Sequence, residues 1–81
     1  LKWWWLSYAD EERGFLGAAI IIAPNFLEAC SMAKAYQVSP VGQVQGNVLG
    51  SDDKKKVTLY DTMRLLNKEE AQRLVRLIDN E

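Results

Sequence analysis

The chain of 81 residues contains no histidine and a single cysteine, and these two shortages remove most familiar enzyme chemistry. Without imidazole there is no Ser-His-Asp or Cys-His pair, no histidine general base and no histidine metal ligand. One thiol, Cys30, can neither close an intrachain disulfide nor build a structural zinc site. It falls in a helical apolar pattern and reads as a small core residue. Neither a Walker-type phosphate loop nor a Gly-x-Gly-x-x-Gly stretch occurs. Asp10, Glu11 and Glu12 read as a polar turn rather than a cation site. Any catalysis would rest on carboxylates, lysine or tyrosine in no recognisable constellation. The chain therefore reads as a non-enzyme, with no metal and no cofactor.

An excess of positive charge is missing as well. Ten basic residues stand against eleven acidic ones, for a net charge of −1. Nucleic-acid binding driven by phosphate contacts needs a basic surface, so that class is disfavoured. The one basic block, Lys54-Lys55-Lys56, follows Asp52-Asp53 and reads as a solvated loop. Long apolar runs are absent too: the longest, Phe15 to Pro24, is too short to span a bilayer. No signal-peptide pattern is visible, so the expected setting is a reducing cytoplasm, away from membranes. A hydrophobic content of 48% with 26% charged residues is that of a globular protein. The length fits one domain, residues 1–81, with a core of marginal size.

What is abundant is aromatic surface near the start. "WWWLSY" (residues 3–8) reads as a strand, "ADEERG" as a hairpin connection, and "FLGAAIIIA" (15–23) as a second, central strand. Asn25 is a good N-cap with Glu28 three residues on, so residues 26–37 should form an amphipathic helix. Pro40 and Gly42 end it. "QVQGNVLG" alternates Val44, Gly46 and Val48 against Gln43, Gln45 and Asn47, a third strand with one wetter face. "GSDDKKK" is expected to be a hairpin loop leading into a fourth strand, "VTLY" at 57–60. Asn67 then caps a last helix, with Glu70 completing a capping box and Leu66 and Ala71 forming a staple. Its buried stripe is expected to be Ala71, Leu74, Val75 and Ile78. The order is β-β-α-β-β-α: an α+β domain with a mostly antiparallel four-stranded sheet and helices on one face.

Strand alternation places Trp3 and Trp5 on one side of the sheet and Trp4 on the other. In the second strand, Leu16, Ala18, Ile20 and Ile22 form the bulkier set, expected under the helices. Phe15, Gly17, Ala19 and Ile21 form the opposite set, beside a strand carrying indoles. Two short helices covering one face would leave an aromatic surface too large for a soluble monomer. The expectation is a homo-oligomer built through that aromatic face, or a ligand or protein partner seated on it.

"WWLSYAD", "FLGAAII", a helix leading into "SPVGQVQG", and "LLNKEEAQ", in that order, resemble a family of small, functionally uncharacterised proteins of bacteria and their phages. In that family the turn after the first helix usually reads Asn-Pro-Gly-Gly-Glu-Val. This chain has Ser39-Pro40-Val41-Gly42-Gln43-Val44, so a role of the family's glutamate does not carry over. The resemblance spans most of the chain. It implies a phage or prophage setting and no particular activity.

Two functions fit. One is a non-catalytic, phage-encoded binder that sequesters a nucleotide-type host immune messenger. Trp3, Trp5, Tyr8 and Phe15 would stack on bases, and Arg13 and Arg64 would hold phosphates. The alternative is a protein-interaction module that inhibits a host defence protein, with the same aromatics as its hot spot and no small-molecule ligand.

Overall fold

The computed structural model describes residues 1–40 and 42–79, with Ile78 and Asp79 described by backbone only. Val41, in the turn expected after the first helix, lies outside the described residues, as does the side chain of Ile78. The elements are β1 (Lys2–Asp10), β2 (Gly14–Ala23), α1 (Phe26–Ala35), β3 (Gln43–Val48), α2 (Ser51–Lys54), β4 (Leu65–Leu66) and α3 (Lys68–Asp79). A single 3-10 turn covers Leu59–Asp61. The strands form one antiparallel sheet in the order β3-β1-β2-β4, and the fold is α+β.

Local chemistry sets the helix starts. The Asn25 side chain accepts the Glu28 backbone N–H at 2.9 Å, capping α1. At α3 the box is complete: Asn67 Oδ1 accepts the Glu70 N–H at 2.8 Å, and Glu70 Oε1 accepts the Asn67 N–H at 3.2 Å. Leu66 and Ala71, on either side of that cap, are both buried. The β1–β2 hairpin turns at Asp10, whose carboxylate accepts both the backbone N–H and the Nε–H of Arg13.

The expected fourth strand at 57–60 is not one. Asp61 Oδ2 accepts the Thr58 N–H at 3.2 Å and the Thr58 hydroxyl at 3.0 Å, and this closed turn diverts the chain from strand geometry. The β4 strand comes later, as two residues, Leu65–Leu66, pairing with Ala18 and Ala19 of β2. The expected hairpin loop before it contains the short helix α2 instead. Local side-chain bonding outcompetes β-propensity here.

The largest correction concerns sidedness: the helices lie on opposite faces of the sheet, not on one. Ala29 and Ala33 of α1 pack with Leu6, Tyr8, Ala19, Ile21 and Ala23 in one cluster. Leu74 of α3 packs with Ile20, Leu49, Val57 and Leu66 in the other, against Trp3 and Trp5. Ile20 and Ile21 are consecutive strand residues, so their clusters must occupy opposite faces. Both are fully buried. Each face of β2 thus has its own helix, which is why the run at 15–23 has no polar side. The sheet is not left bare: each face carries a helix, so neither is the wholly uncovered aromatic surface that was expected.

A β-bulge between Tyr8 and Ala9 completes the rearrangement. Tyr8 pairs with Gly17 and Ala9 with Phe15, so Leu16 is the extra residue. Leu16 then joins the α1 cluster, and Phe15 joins the face of Trp5 and α3. Strict alternation had assigned both the other way. Gly17 sits at φ +154°, where a Cβ would also press on Leu65 at 2.8 Å.

Candidate functional site

Between the β1–β2 sheet and α3 lies a cleft of about 480 Å³, lined by Trp5, Ser7, Phe15, Lys68, Ala71, Gln72, Val75 and Arg76. That volume lies in the range of small-molecule sites. Its floor is built by alternation along β1, which puts Trp5 and Ser7 on the α3 side, and by the bulge, which swings Phe15 to join them. Phe15 keeps 38% of its surface exposed. The wall is α3. Ala71 and Val75 are one row at i, i+4, and Lys68, Gln72 and Arg76 are the neighbouring row at the same spacing. The expected buried stripe of α3 is therefore split. Ala71 and Leu74 are buried, whereas Val75 is 43% exposed as part of the cleft wall.

The electrostatics of this cleft are one-signed. Its lining holds two cations and no carboxylate. Among the described residues, neither Lys68 nor Arg76 is held in an ion pair. Two other surface hollows differ in this respect. One, at the hairpin, contains Asp10, Glu11 and Glu12 with Arg13. The other, beside the start of α3, contains Glu69 and Glu70 with Tyr60, Arg64 and Arg73. The first is net negative and the second pairs two carboxylates with two guanidinium groups, so neither offers an anion the carboxylate-free lining of the cleft.

The six residues expected to share a ligand are dispersed. Trp5 and Phe15 come together in the cleft. Trp3 is on the same face but packs half-buried against the Ile20–Leu74 cluster. Tyr8 is 2% exposed in the α1 cluster on the other side of the sheet, so it cannot reach a ligand in the cleft. Its hydroxyl is enclosed without a well-formed hydrogen bond. Burial raises the phenol above its ordinary 10.0, and the nearby Ser39 hydroxyl offsets part of that rise.

Both arginines are engaged elsewhere. Arg13 Nε lies 2.7 Å from Asp10 Oδ2 within the hairpin turn, and the Arg13 contacts hold the Asp10 carboxyl below its ordinary 3.8. Arg64 spans the 59–61 turn and α3. Its Nε donates to the Tyr60 carbonyl at 3.0 Å, its Nη2 to Glu70 Oε2 at 2.5 Å, and its guanidinium lies 4.7 Å from the Tyr60 ring centre. This hydrogen bond raises the Arg64 pKa and lowers that of Glu70 below 4.5. Asp61, nearly buried, lies 3.8 Å from Arg64 and 3.9 Å from Arg73. Arg64 thus docks the start of α3 and has a structural role.

Trp4, the indole on the opposite face, is accounted for by packing. Its Nε1 donates to the Ala23 carbonyl at 3.2 Å, and its ring meets Phe26 at 5.9 Å in a tilted arrangement. Six cleft residues lie outside the expected ligand set: Ser7 on β1, and Lys68, Ala71, Gln72, Val75 and Arg76 on α3, whose i, i+3 and i, i+4 spacing was the available signal. Which face of the helix they bordered was not readable without the sheet.

Among the described residues, no three His, Cys, Asp or Glu side chains stand together to hold a metal ion. No helix among them is long and apolar enough to cross a membrane. No protein-family model, curated protein or solved structure matches this chain.

Proposed function

We propose that this chain is a non-catalytic binding protein whose cleft takes a small planar aromatic anion of nucleotide type. One observation carries the reading: partly exposed rings of Trp5 and Phe15 share a cleft with Lys68 and Arg76, and no lining residue is acidic. Ring faces suit nucleobase stacking, worth about 1–3 kcal/mol per base. The Arg76 guanidinium and Lys68 ammonium suit phosphate, Arg in bidentate fashion and Lys as a point charge. Ser7 and Gln72 supply hydroxyl and amide groups for the base edges. In the phage setting that the sequence resemblance implies, such a protein would act by sequestering a host immune messenger.

The test is a panel of mono-, di- and cyclic nucleotides, read by tryptophan fluorescence and melting temperature. A ligand in the panel should quench Trp5 and raise the melting temperature. Loss of one stack in Trp5→Ala should weaken binding about 10- to 100-fold. Arg76→Ala should weaken phosphate-bearing ligands more than the free nucleosides. Arg13→Ala, at a residue that is outside the cleft lining and paired with Asp10, should bind as the parent does. Silence across the whole panel, or equal loss in Arg13→Ala and Arg76→Ala, would refute the assignment.

A further inference from the structure

The outer edge of β3 is an unblocked strand edge. Leu49 N–H donates to the Trp3 carbonyl at 2.8 Å, and the β1–β3 register continues from that pair as Trp5↔Asn47, Ser7↔Gln45 and Ala9↔Gln43. In an antiparallel ladder, alternate residues turn both backbone groups toward one neighbour. Gln43, Gln45 and Asn47 therefore bond to β1, and the N–H and C=O groups of Val44, Gly46 and Val48 point outward. Among the described residues β3 has no strand partner besides β1. Proteins ordinarily defend such an edge with lysine, proline, a bulge or a covering segment. Residues 43–48, "QVQGNV", carry no charge and no proline, and the β1–β3 register is unbroken. The opposite edge of the sheet is β4, only two residues long.

We infer that β3 is a self-association edge, pairing antiparallel with β3 of a second copy about a two-fold axis at Gly46. That register places Gly46 opposite Gly46 and Val44 opposite Val48 in both directions. Every outward donor and acceptor of the three residues is then satisfied. The side chains agree with it on both faces. On the α1 side, Val48, which is exposed in the single chain, meets Val44 of the second copy. On the α3 side, Gln45 faces Asn47, amide against amide, with no like charges opposed.

The contact is isologous, and the other sheet edge is too short to repeat it. The assembly therefore closes as a dimer with one continuous eight-stranded sheet. This interface is separate from the aromatic face, much of which α3 already covers. Because the axis runs through the sheet, both clefts open on the same side. The amides of Gln45 and Asn47 from the two copies form the floor between them.

Light scattering after size exclusion, across a concentration series reaching the order of 100 µM, reads the mass directly. The expected result is a species of about twice the 9.2 kDa of one chain. Gln45→Lys with Asn47→Lys opposes ammonium groups across the axis, at positions open to water in the single chain, and should yield a folded monomer by circular dichroism. Gln45→Lys with Asn47→Glu sets opposite charges face to face and should retain the dimer. Amide exchange gives a readout free of substitutions. The Val44, Gly46 and Val48 N–H groups should become more protected with concentration, whereas those of Gln45 and Asn47, already bonded to β1, should not. A parent chain monomeric throughout the series would overturn the inference. So would a double-lysine variant that stays dimeric, or Val44, Gly46 and Val48 amides indifferent to concentration.

Discussion

The claim that each face of the sheet has its own helix is tested most sharply at Leu74. This side chain is 1% exposed and packs with Ile20, Leu49, Val57 and Leu66 beneath Trp3 and Trp5. Leu74→Ala removes buried methyl groups and leaves a cavity where β1, β2, β4 and α3 meet, at an expected cost of about 2–5 kcal/mol. Domains of this length are stable by roughly 0.05–0.15 kcal/mol per residue, so the loss is a large fraction of the total. Leu77→Ala, on the same helix but 49% exposed, should change stability by less than about 0.5 kcal/mol.

Urea denaturation followed by both tryptophan emission and circular dichroism measures these losses. A double-mutant cycle then reads the sidedness. Leu74→Ala combined with Ile20→Val should depart from additivity by more than about 0.5 kcal/mol, because the two side chains share one cavity. Combined with Ile21→Val, which lies across the sheet among Ala29 and Ala33, it should be additive within about 0.3–0.5 kcal/mol. Coupling of Leu74 to Ile21 instead of Ile20 would refute the two-sided arrangement. So would equal costs for Leu74→Ala and Leu77→Ala.

Two further outcomes follow from buried and paired groups. Tyr8→Phe deletes an enclosed hydroxyl that lacks a well-formed hydrogen bond, so thermal unfolding should show it neutral to about 1 kcal/mol more stable; a clear loss of stability would reveal a bond that the hydroxyl makes. Glu70 is held below 4.5 by Arg64 and by the Asn67 backbone N–H. A depressed carboxylate adds stability that is complete above its unfolded pKa and is lost as pH falls through the folded value. Stability should therefore decline below about pH 4.5, with Asp10 contributing a similar decline lower down. Glu70→Gln should make the difference between variant and parent vanish in strong acid, and a pH-independent difference would contradict the pairing.

Elements whose cause is local were legible in the chain itself. The hairpin turning at residues 10–14, the N-caps at Asn25 and Asn67 and the wetter face of β3 each depend on neighbours within a few positions. A local signal also lies in Thr58 with Asp61, where a hydroxyl and a carboxylate three residues apart close a turn in a segment of strand-like composition.

Tertiary structure alone decided sidedness. A period of two assigns residues to opposite faces but says nothing about which helix covers which face. The bulge at Leu16 exchanged Phe15 and Leu16 between faces, through an irregularity in the ladder with β1 that a strict period of two does not reveal. That exchange, and the docking of α3 over Trp3 and Trp5, turned an expected sheet of uncovered indoles into a bounded cleft with cations on its wall. Composition thus determined a small α+β domain rich in stacking surface. The packing of α3, a non-local event, determined which of those rings remain exposed in the cleft.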